Sequence, residues 1–223
     1  MHSSRPTTTR LRGALLAFAL LCAPAAFAGP PLLCHPFETA GAPSLPWGSG
    51  WNQPARNYTT THLSADTLRL LARDTPIIAR METLRRAAIY ASGDGVHMRD
   101  LAAKLDARVA TAKDPTAKAL ALFDAGYFAE TLQDIERLQG YDMPGIGRVN
   151  ASAVREVLSR GDGSERIAQA LVLRPRDSAM RFASALVASA DRRQADYAMN
   201  ARLARAGVRS DRLLALNLDK IRD

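Results

Sequence analysis

Residues 114–138 carry the sequence DPTAKALALFDAGYFAETLQDIERL, which predicts one long helix. Asp114 precedes Pro115, and an aspartate followed by proline at the first helical position commonly begins a helix. The large apolar residues of this stretch point to most sides of a helix: Leu120, Leu122, Phe123, Tyr127, Phe128, Leu132, Ile135 and Leu138. A helix that is apolar on most sides has neighbours on several sides, so we expect this segment at the centre of the protein.

The segments on both sides show the same helical spacing of apolar residues. Two stripes recur at intervals of three and four residues: Ile77, Met81, Leu84 and Ala88, then Met98, Leu101, Leu105 and Val109. Further helices are expected over residues 151–160, 165–174, 178–190, 193–206 and 211–221. No segment alternates apolar and polar residues as a half-buried strand does. We therefore predict an all-α fold of antiparallel helix pairs joined by short turns.

Capping and breaking residues mark the ends of these helices. Side-chain caps are expected from Ser64, Thr75, Ser164, Asp177 and Ser210, with Pro76 as the first residue of its helix. Gly207 should end the helix over 193–206. The Gly-Asp-Gly at residues 93–95 should end the helix that contains Ile77, Met81, Leu84 and Ala88.

The Gly-Asp-Gly sequence occurs twice, at residues 93–95 and 161–163, an offset of 68 residues or twice 34. Asp177 and Asp211 are 34 residues apart, and residues 170–175 read ALVLRP. The part of the chain at about residues 164–212 resembles tetratricopeptide repeats, whose period is 34 residues. The resemblance implies an irregular right-handed array of helix pairs, with a concave surface suited to binding.

Residues 1–28 have the composition of a secretory signal peptide. Arg5, Arg10 and Arg12 precede an apolar run at 13–28 that ends Ala-Phe-Ala and is too short to span a bilayer. We expect an exported protein, periplasmic or secreted, with no transmembrane helix after cleavage. Cys34 is then the one remaining cysteine, so it is either a buried apolar residue or part of an intermolecular disulfide.

Residues 29–62 are rich in proline, glycine and tryptophan. Six of the twelve prolines and both tryptophans occur between residues 29 and 55, and proline disfavours regular helix. We predict an extended arm that packs on an α-helical domain of residues 63–223 through Leu32, Leu33, Phe37, Leu45, Trp47 and Trp51. Residues 34–38, 44–47 and 80–91 resemble uncharacterised exported bacterial proteins, a resemblance that implies no particular activity.

Residues 143–147 read MPGIG and resemble the turn of the helix-hairpin-helix element, in which backbone amides meet a nucleic-acid phosphate. On that resemblance the phosphate contacts come from Gly145, Ile146 and Gly147, with Arg148 beside them. A turn between two structural helices explains the same residues, and both interpretations stay open.

The formal net charge is +8, and the basic excess of the mature chain lies at its C-terminal end. Residues 174–223 contain 11 basic and 6 acidic side chains. Arg202, Arg205 and Arg209 are spaced to share one helix face if the helix continues past Gly207. Such a stripe would attract an acidic protein, an anionic envelope polymer, lipid headgroups or nucleic acid. A solvated outer face is the alternative.

Sequence motifs for catalysis and cofactor binding are absent. There is no nucleophile elbow, phosphate-binding loop, dinucleotide fingerprint or zinc-protease helix, and the cysteine and histidines lack metal-site spacing. Asp124 and Glu130 are six residues apart and face different ways, so a carboxylate pair for glycoside hydrolysis is not predicted. Ion pairs with arginines are the expected role of Asp124 and Glu82.

From these patterns we predict a non-catalytic, helical-repeat-like exported protein, without metal or cofactor, that binds a macromolecule of the cell envelope. The partner would be a protein or an anionic polymer. A periplasmic nucleic-acid-binding protein that uses the turn at residues 143–147 is the alternative, and an all-α cell-wall hydrolase ranks last.

Overall fold

The structure is a computed structural model that describes residues 32–34, 36–50, 52–139 and 146–221. These residues form nine α-helices and no strand, which confirms the all-α prediction. The helices are α1 Leu63–Leu70, α2 Ile77–Ala91, α3 Gly95–Thr111, α4 Pro115–Arg137, α5 Ala151–Leu158, α6 Gly163–Leu173, α7 Ser178–Ala190, α8 Gln194–Ala206 and α9 Arg212–Asn217. Short 3₁₀ helices occur at Thr60–His62, Val208–Ser210 and Leu218–Lys220. The predicted signal peptide lies outside the described residues.

Helix α4 lies at the centre of the fold, as its sequence predicts. It packs against α2, α3, α5, α6 and α7. Its aromatic and aliphatic side chains Phe123, Tyr127, Phe128 and Leu132 are no more than 1% exposed. The burial of a helix on all sides explains why apolar residues occupy most of its circumference.

Aspartate side chains begin five of the nine α-helices in the described part of the chain. Asp94, Asp114, Asp162, Asp177 and Asp211 each accept a hydrogen bond from a backbone N–H group two or three residues further on. Both Gly-Asp-Gly sequences therefore begin a helix, α3 and α6, through the same capping contact. A carboxylate at a helix N-terminus satisfies free N–H groups and carries a charge that the helix dipole favours.

Several predicted caps are wrong. The helices expected to start from Ser164 and Ser210 start instead from the neighbouring aspartates. Helix α1 begins at Leu63, before Ser64, without a side-chain cap. The Thr75 hydroxyl donates to the Leu70 carbonyl oxygen at 2.9 Å, so it closes the preceding turn and leaves Pro76 as the uncapped N-cap residue of α2.

Helices α6, α7 and α8 follow one another at the C-terminal end of the core. Gly207, at the end of α8, lies so close to Ser178, at the start of α7, that a Cβ atom on Gly207 would collide with the Ser178 Cβ, so these two helices run antiparallel. Helix α6 packs on both α4 and α7. At the crossing of α4 and α6, a Cβ atom on Gly126 would lie 2.6 Å from the Gly163 carbonyl oxygen. Glycine is therefore required for this close approach.

The segment before α1, residues 32–34, 36–50 and 52–58, is called the N-terminal strap. Leu32, Leu33, Phe37 and Leu45 are at most 5% exposed, and Trp47 is half-buried. Trp51 lies outside the described residues.

Charged side chains of α2 and α4 hold the strap's backbone. Asp134 accepts from the Leu32 N–H at 2.5 Å, Glu82 accepts from the Phe37 N–H at 3.1 Å, and Arg85 donates to the Leu33 carbonyl oxygen at 3.1 Å. These groups satisfy strap atoms that would otherwise be buried without partners.

Candidate binding groove

A groove of about 350 Å³ lies over α7, between walls formed by α6 and α8. Its lining comes from all three helices and the two turns that join them: Ser164, Ile167, Ala168, Leu171, Val172, Pro175, Arg181, Ser184, Val187, Arg193, Asp196, Met199 and Asn200. We call this feature the α6–α8 groove. Because the antiparallel hairpin of α7 and α8 packs beside α6, residues distant in sequence are brought to one concave surface.

Apolar side chains dominate the floor and rims of the groove. Ile167 and Val187 are 1% exposed, whereas Val172 on the α6 wall is 79% exposed and Met199 on the α8 wall is 44% exposed. Among the described residues, six large apolar side chains are exposed, and four of these lie on α6 or α8: Val172, Leu173, Met199 and Leu203. A concentration of exposed apolar side chains around one concavity is typical of a surface that another molecule covers.

Two arginines, Arg181 and Arg193, line the groove. Arg193 is neutralised by Asp196, at 2.5 Å, and by Asp191, at 3.1 Å. Arg181 is half-buried and bonds to neutral oxygens: its Nη1 donates to Asn200 Oδ1 at 3.1 Å and its Nη2 to the Pro175 carbonyl oxygen at 3.4 Å.

The carboxyl group of Glu130 lies near the Ser164 end of the groove but does not open into it. Glu130 is 3% exposed and accepts a hydrogen bond from the Ser164 N–H. Burial, together with the nearby carboxylates of Asp191 and Asp162, raises the pKa of Glu130 to about 7. Its side chain packs against Gly163 at the α4–α6 crossing, and we assign it no role in contacting a ligand.

Other acidic residues of the core have structural partners, as predicted for Asp124 and Glu82. Asp124 forms ion pairs with Arg80 at 2.8 Å and Arg108 at 3.2 Å. Glu82 pairs with Arg85 at 2.9 Å and also with Arg86. Burial raises the pKa of Asp124 to about 6, and the two arginines oppose this rise.

The residues of the predicted phosphate-binding turn have mixed environments. Ile146 is 6% exposed and is a core residue, whereas Gly147, with a φ of +68°, and Arg148 are exposed. Gly145 lies outside the described residues. A polar hollow of about 480 Å³ adjoins Arg148 and the start of α5. Gly147 and Arg148 are therefore adjacent exposed residues, and Arg148 lines the hollow.

The three C-terminal arginines do not share a helix face. Helix α8 ends at Ala206, with Gly207 as its C-cap, so the condition for a continuous stripe is not met. Arg202 is exposed on α8, whereas Arg205 is half-buried and donates to the Ile221 carbonyl oxygen at 3.0 Å. Arg209 lies in the following 3₁₀ helix.

Sequence reasoning did not identify Val172, Arg181 or Met199 as binding residues. One signal was present: α7 reads SAMRFASALVASA, in which Arg181 is the sole charged residue. A single arginine in an otherwise uncharged helix suggests that its side chain has a polar partner. Its position in a groove becomes visible only when α6 and α8 are packed beside α7.

The described residues contain no candidate metal site and no candidate membrane-spanning helix. Within residues 32–34, 36–50, 52–139 and 146–221, no three His, Cys, Asp or Glu side chains are grouped to hold a metal ion. Cys34 is half-buried and free, and burial raises the pKa of its thiol. No helix in the described part of the chain is long and apolar enough to cross a membrane. Comparisons with protein-family models, curated proteins and solved structures gave no match.

Proposed function

We propose that this chain is an exported, non-catalytic binding protein that receives an apolar segment of another protein in the α6–α8 groove. The observation that carries the proposal is the position of the exposed apolar side chains. Val172 and Met199 line the two rims of the groove, and Leu173 and Leu203 lie on the same two helices. Covering such side chains contributes about 25 cal/mol for each Å² of apolar surface removed from water.

A role in the cell envelope follows from the leader sequence at residues 1–28 and is part of the proposal. The absence of a catalytic role is supported by the use of the core carboxylates. Asp124, Glu82 and Asp134 are engaged in ion pairs or in holding the N-terminal strap.

Capture of the partner by matched variants tests the proposal. The mature chain, Val172→Glu and Val96→Glu would each be immobilised and incubated with envelope extract from the source organism. Val172 and Val96 have similar exposure, 79% and 70%, but Val96 lies on α3, outside the groove. A charge at an apolar contact that becomes buried costs several kcal/mol, so Val172→Glu should lose the captured protein and Val96→Glu should keep it. Equal capture by both variants would refute the role of the groove.

Nucleic-acid binding at residues 146–148 is the second candidate, favoured by the exposure of Gly147 and Arg148. Duplex DNA would be titrated at several salt concentrations with the mature chain and with Arg148→Ala and Arg202→Ala. A phosphate-binding protein loses affinity as salt rises, and each lost phosphate contact reduces the slope by about one. An affinity with no slope against log salt would reject this candidate.

A further inference from the structure

Among the described residues, no acidic side chain forms an ion pair with Arg181 within 4.0 Å. Its Nη1 and Nη2 donate to an amide oxygen and a carbonyl oxygen, both neutral, and its buried Nε has no acceptor. A buried donor without a partner is costly. The arrangement holds a guanidinium in place while leaving both its charge and one donor unmatched.

Comparable arginines on neighbouring elements have carboxylate partners. Arg166 on α6 is 22% exposed and bonds to Asp106 at 2.6 Å, and Arg174, 35% exposed, bonds to Asp177 at 2.8 Å. Arg193 in the groove itself has two. Arg181 therefore departs from the pattern of its surroundings at the one place where it lines a groove with apolar rims.

We infer that Arg181 binds a carboxylate group of a peptide whose apolar side chains cover Val172 and Met199. The inference rests on the proposed function and adds the chemistry of the ligand. The carboxylate comes either from the peptide's C-terminus or from an Asp or Glu side chain, since both present the same pair of oxygens to a guanidinium.

The charge of the groove favours one carboxylate over a polyanion. Its lining contains two cations, Arg181 and Arg193, and one anion, Asp196, which leaves a single net positive charge. A nucleic acid or an anionic polysaccharide would bring repeated charges toward Asp196 and would leave the apolar rims uncovered. A peptide with one acidic group and flanking apolar residues matches both features.

Selection of peptides on the purified mature chain tests the inference. The probe is a library of random twelve-residue peptides displayed with free C-termini. The peptides selected would be synthesised as free acids, as C-terminal amides, and with internal Asp and Glu changed to Asn and Gln. Their affinities would be measured by fluorescence anisotropy for the mature chain and for four variants.

The variants separate the charge of Arg181 from the shape of the groove. Arg181→Gln removes the charge, and Arg212→Gln, on an exposed residue of α9, is its matched control. Asn200→Asp keeps Arg181 but places a carboxylate where the amide oxygen now accepts at 3.1 Å, so it neutralises the guanidinium from within. Val172→Glu blocks the apolar rim. Circular dichroism and thermal unfolding verify that each variant is folded.

We expect Arg181→Gln and Asn200→Asp to weaken binding by about 10- to 100-fold, the effect of losing a charge-assisted hydrogen bond, while Arg212→Gln does not. Asn200→Asp gains an ion pair with Arg181 but loses the hydrogen bond that Asn200 Nδ2 donates to the Asp196 carbonyl oxygen at 2.9 Å, so no rise in the midpoint of thermal unfolding is expected. If the C-terminal amide binds more weakly than the free acid, Arg181 binds the C-terminal carboxylate. If the peptide with Asn or Gln binds more weakly, Arg181 binds the side-chain carboxylate.

Two results would overturn the inference, and they differ. If the peptides lose affinity in Val172→Glu but bind Arg181→Gln as tightly as the mature chain, the carboxylate is wrong and the groove remains the binding site. If no selected peptide is weakened by Val172→Glu, the proposed function fails and the inference fails with it.

Discussion

The buried carboxyl group of Glu130 should make the protein less stable as the pH rises, and Glu130→Gln should remove that effect. Burial and two neighbouring carboxylates raise its pKa from 4.5 to about 7. In the unfolded chain the group ionises near its ordinary pKa, so the folded protein binds more protons between the two values. Stability conferred by the protonated group is therefore complete below about pH 4.5 and is lost as the pH rises through about 7.

The size of the effect follows from the two pKa values. A shift of one pKa unit corresponds to about 1.4 kcal/mol, and integration from pH 5 to pH 8 gives a loss of roughly 2–3 kcal/mol from Glu130 alone. Glutamine has nearly the same shape and no ionisation, so Glu130→Gln should escape this loss. Asp124 and Asp134, whose pKa values burial raises to about 6, remain in both proteins. Comparison of the two proteins isolates Glu130.

Urea unfolding at pH 5 and pH 8, followed by far-ultraviolet circular dichroism at constant ionic strength, measures the difference. The free energy of unfolding of Glu130→Gln relative to the unmodified mature chain should increase by roughly 2–3 kcal/mol between the two pH values. The variant Glu165→Gln, which changes an exposed carboxylate on α6, should follow the unmodified chain. Parallel pH profiles for Glu130→Gln and the unmodified chain would refute the reasoning.

Three further substitutions test the packing around α4. Asp124→Asn leaves Arg80 as a fully buried charge without a carboxylate, which should cost about 3–5 kcal/mol in urea unfolding; a cost below about 1 kcal/mol would contradict the role of the ion pair. Gly126→Ala places a methyl group 2.6 Å from the Gly163 carbonyl oxygen. It should lower the free energy of unfolding by about 1–3 kcal/mol, even though alanine favours helix more than glycine does. An unchanged or raised unfolding temperature would argue against the close crossing of α4 and α6. Tyr90→Phe removes a hydroxyl that makes hydrogen bonds of 2.6 and 2.9 Å to the N-terminal strap. Amide hydrogen exchange should therefore become faster in the strap and stay the same in α4. Unchanged exchange in the strap would show that the strap does not depend on this contact.

The helical fold was accessible from the sequence because its signals are local. The apolar residues of 114–138 lie on most sides of one helix, so the helical segment could be predicted. Asp114 and Asp177 cap the helices they precede, so the first residues of these helices could be predicted as well. The wrong caps involve hydroxyls that lie near an aspartate or have another acceptor. Thr75, for example, donates backwards to Leu70, a choice that depends on how the chain folds before α2.

The groove could not be predicted from the sequence in the same way. Its residues come from three helices, and the spacing of residues along one helix does not define how that helix packs against the others. Val172 and Met199 each resemble ordinary helix positions, and only the placement of α6 and α8 around α7 turns them into two rims. The opposite happened with Arg205, which spacing placed on a basic stripe and the fold directs to the Ile221 carbonyl oxygen.

Hydrogen–deuterium exchange of the mature chain, with and without the protein that it captures from the envelope, tests the role of the α6–α8 groove most directly. Slower exchange is predicted in α6, α7 and α8, around Val172, Arg181 and Met199, with no change around residues 146–152. Slower exchange around residues 146–152, with none in these three helices, would contradict binding through the groove.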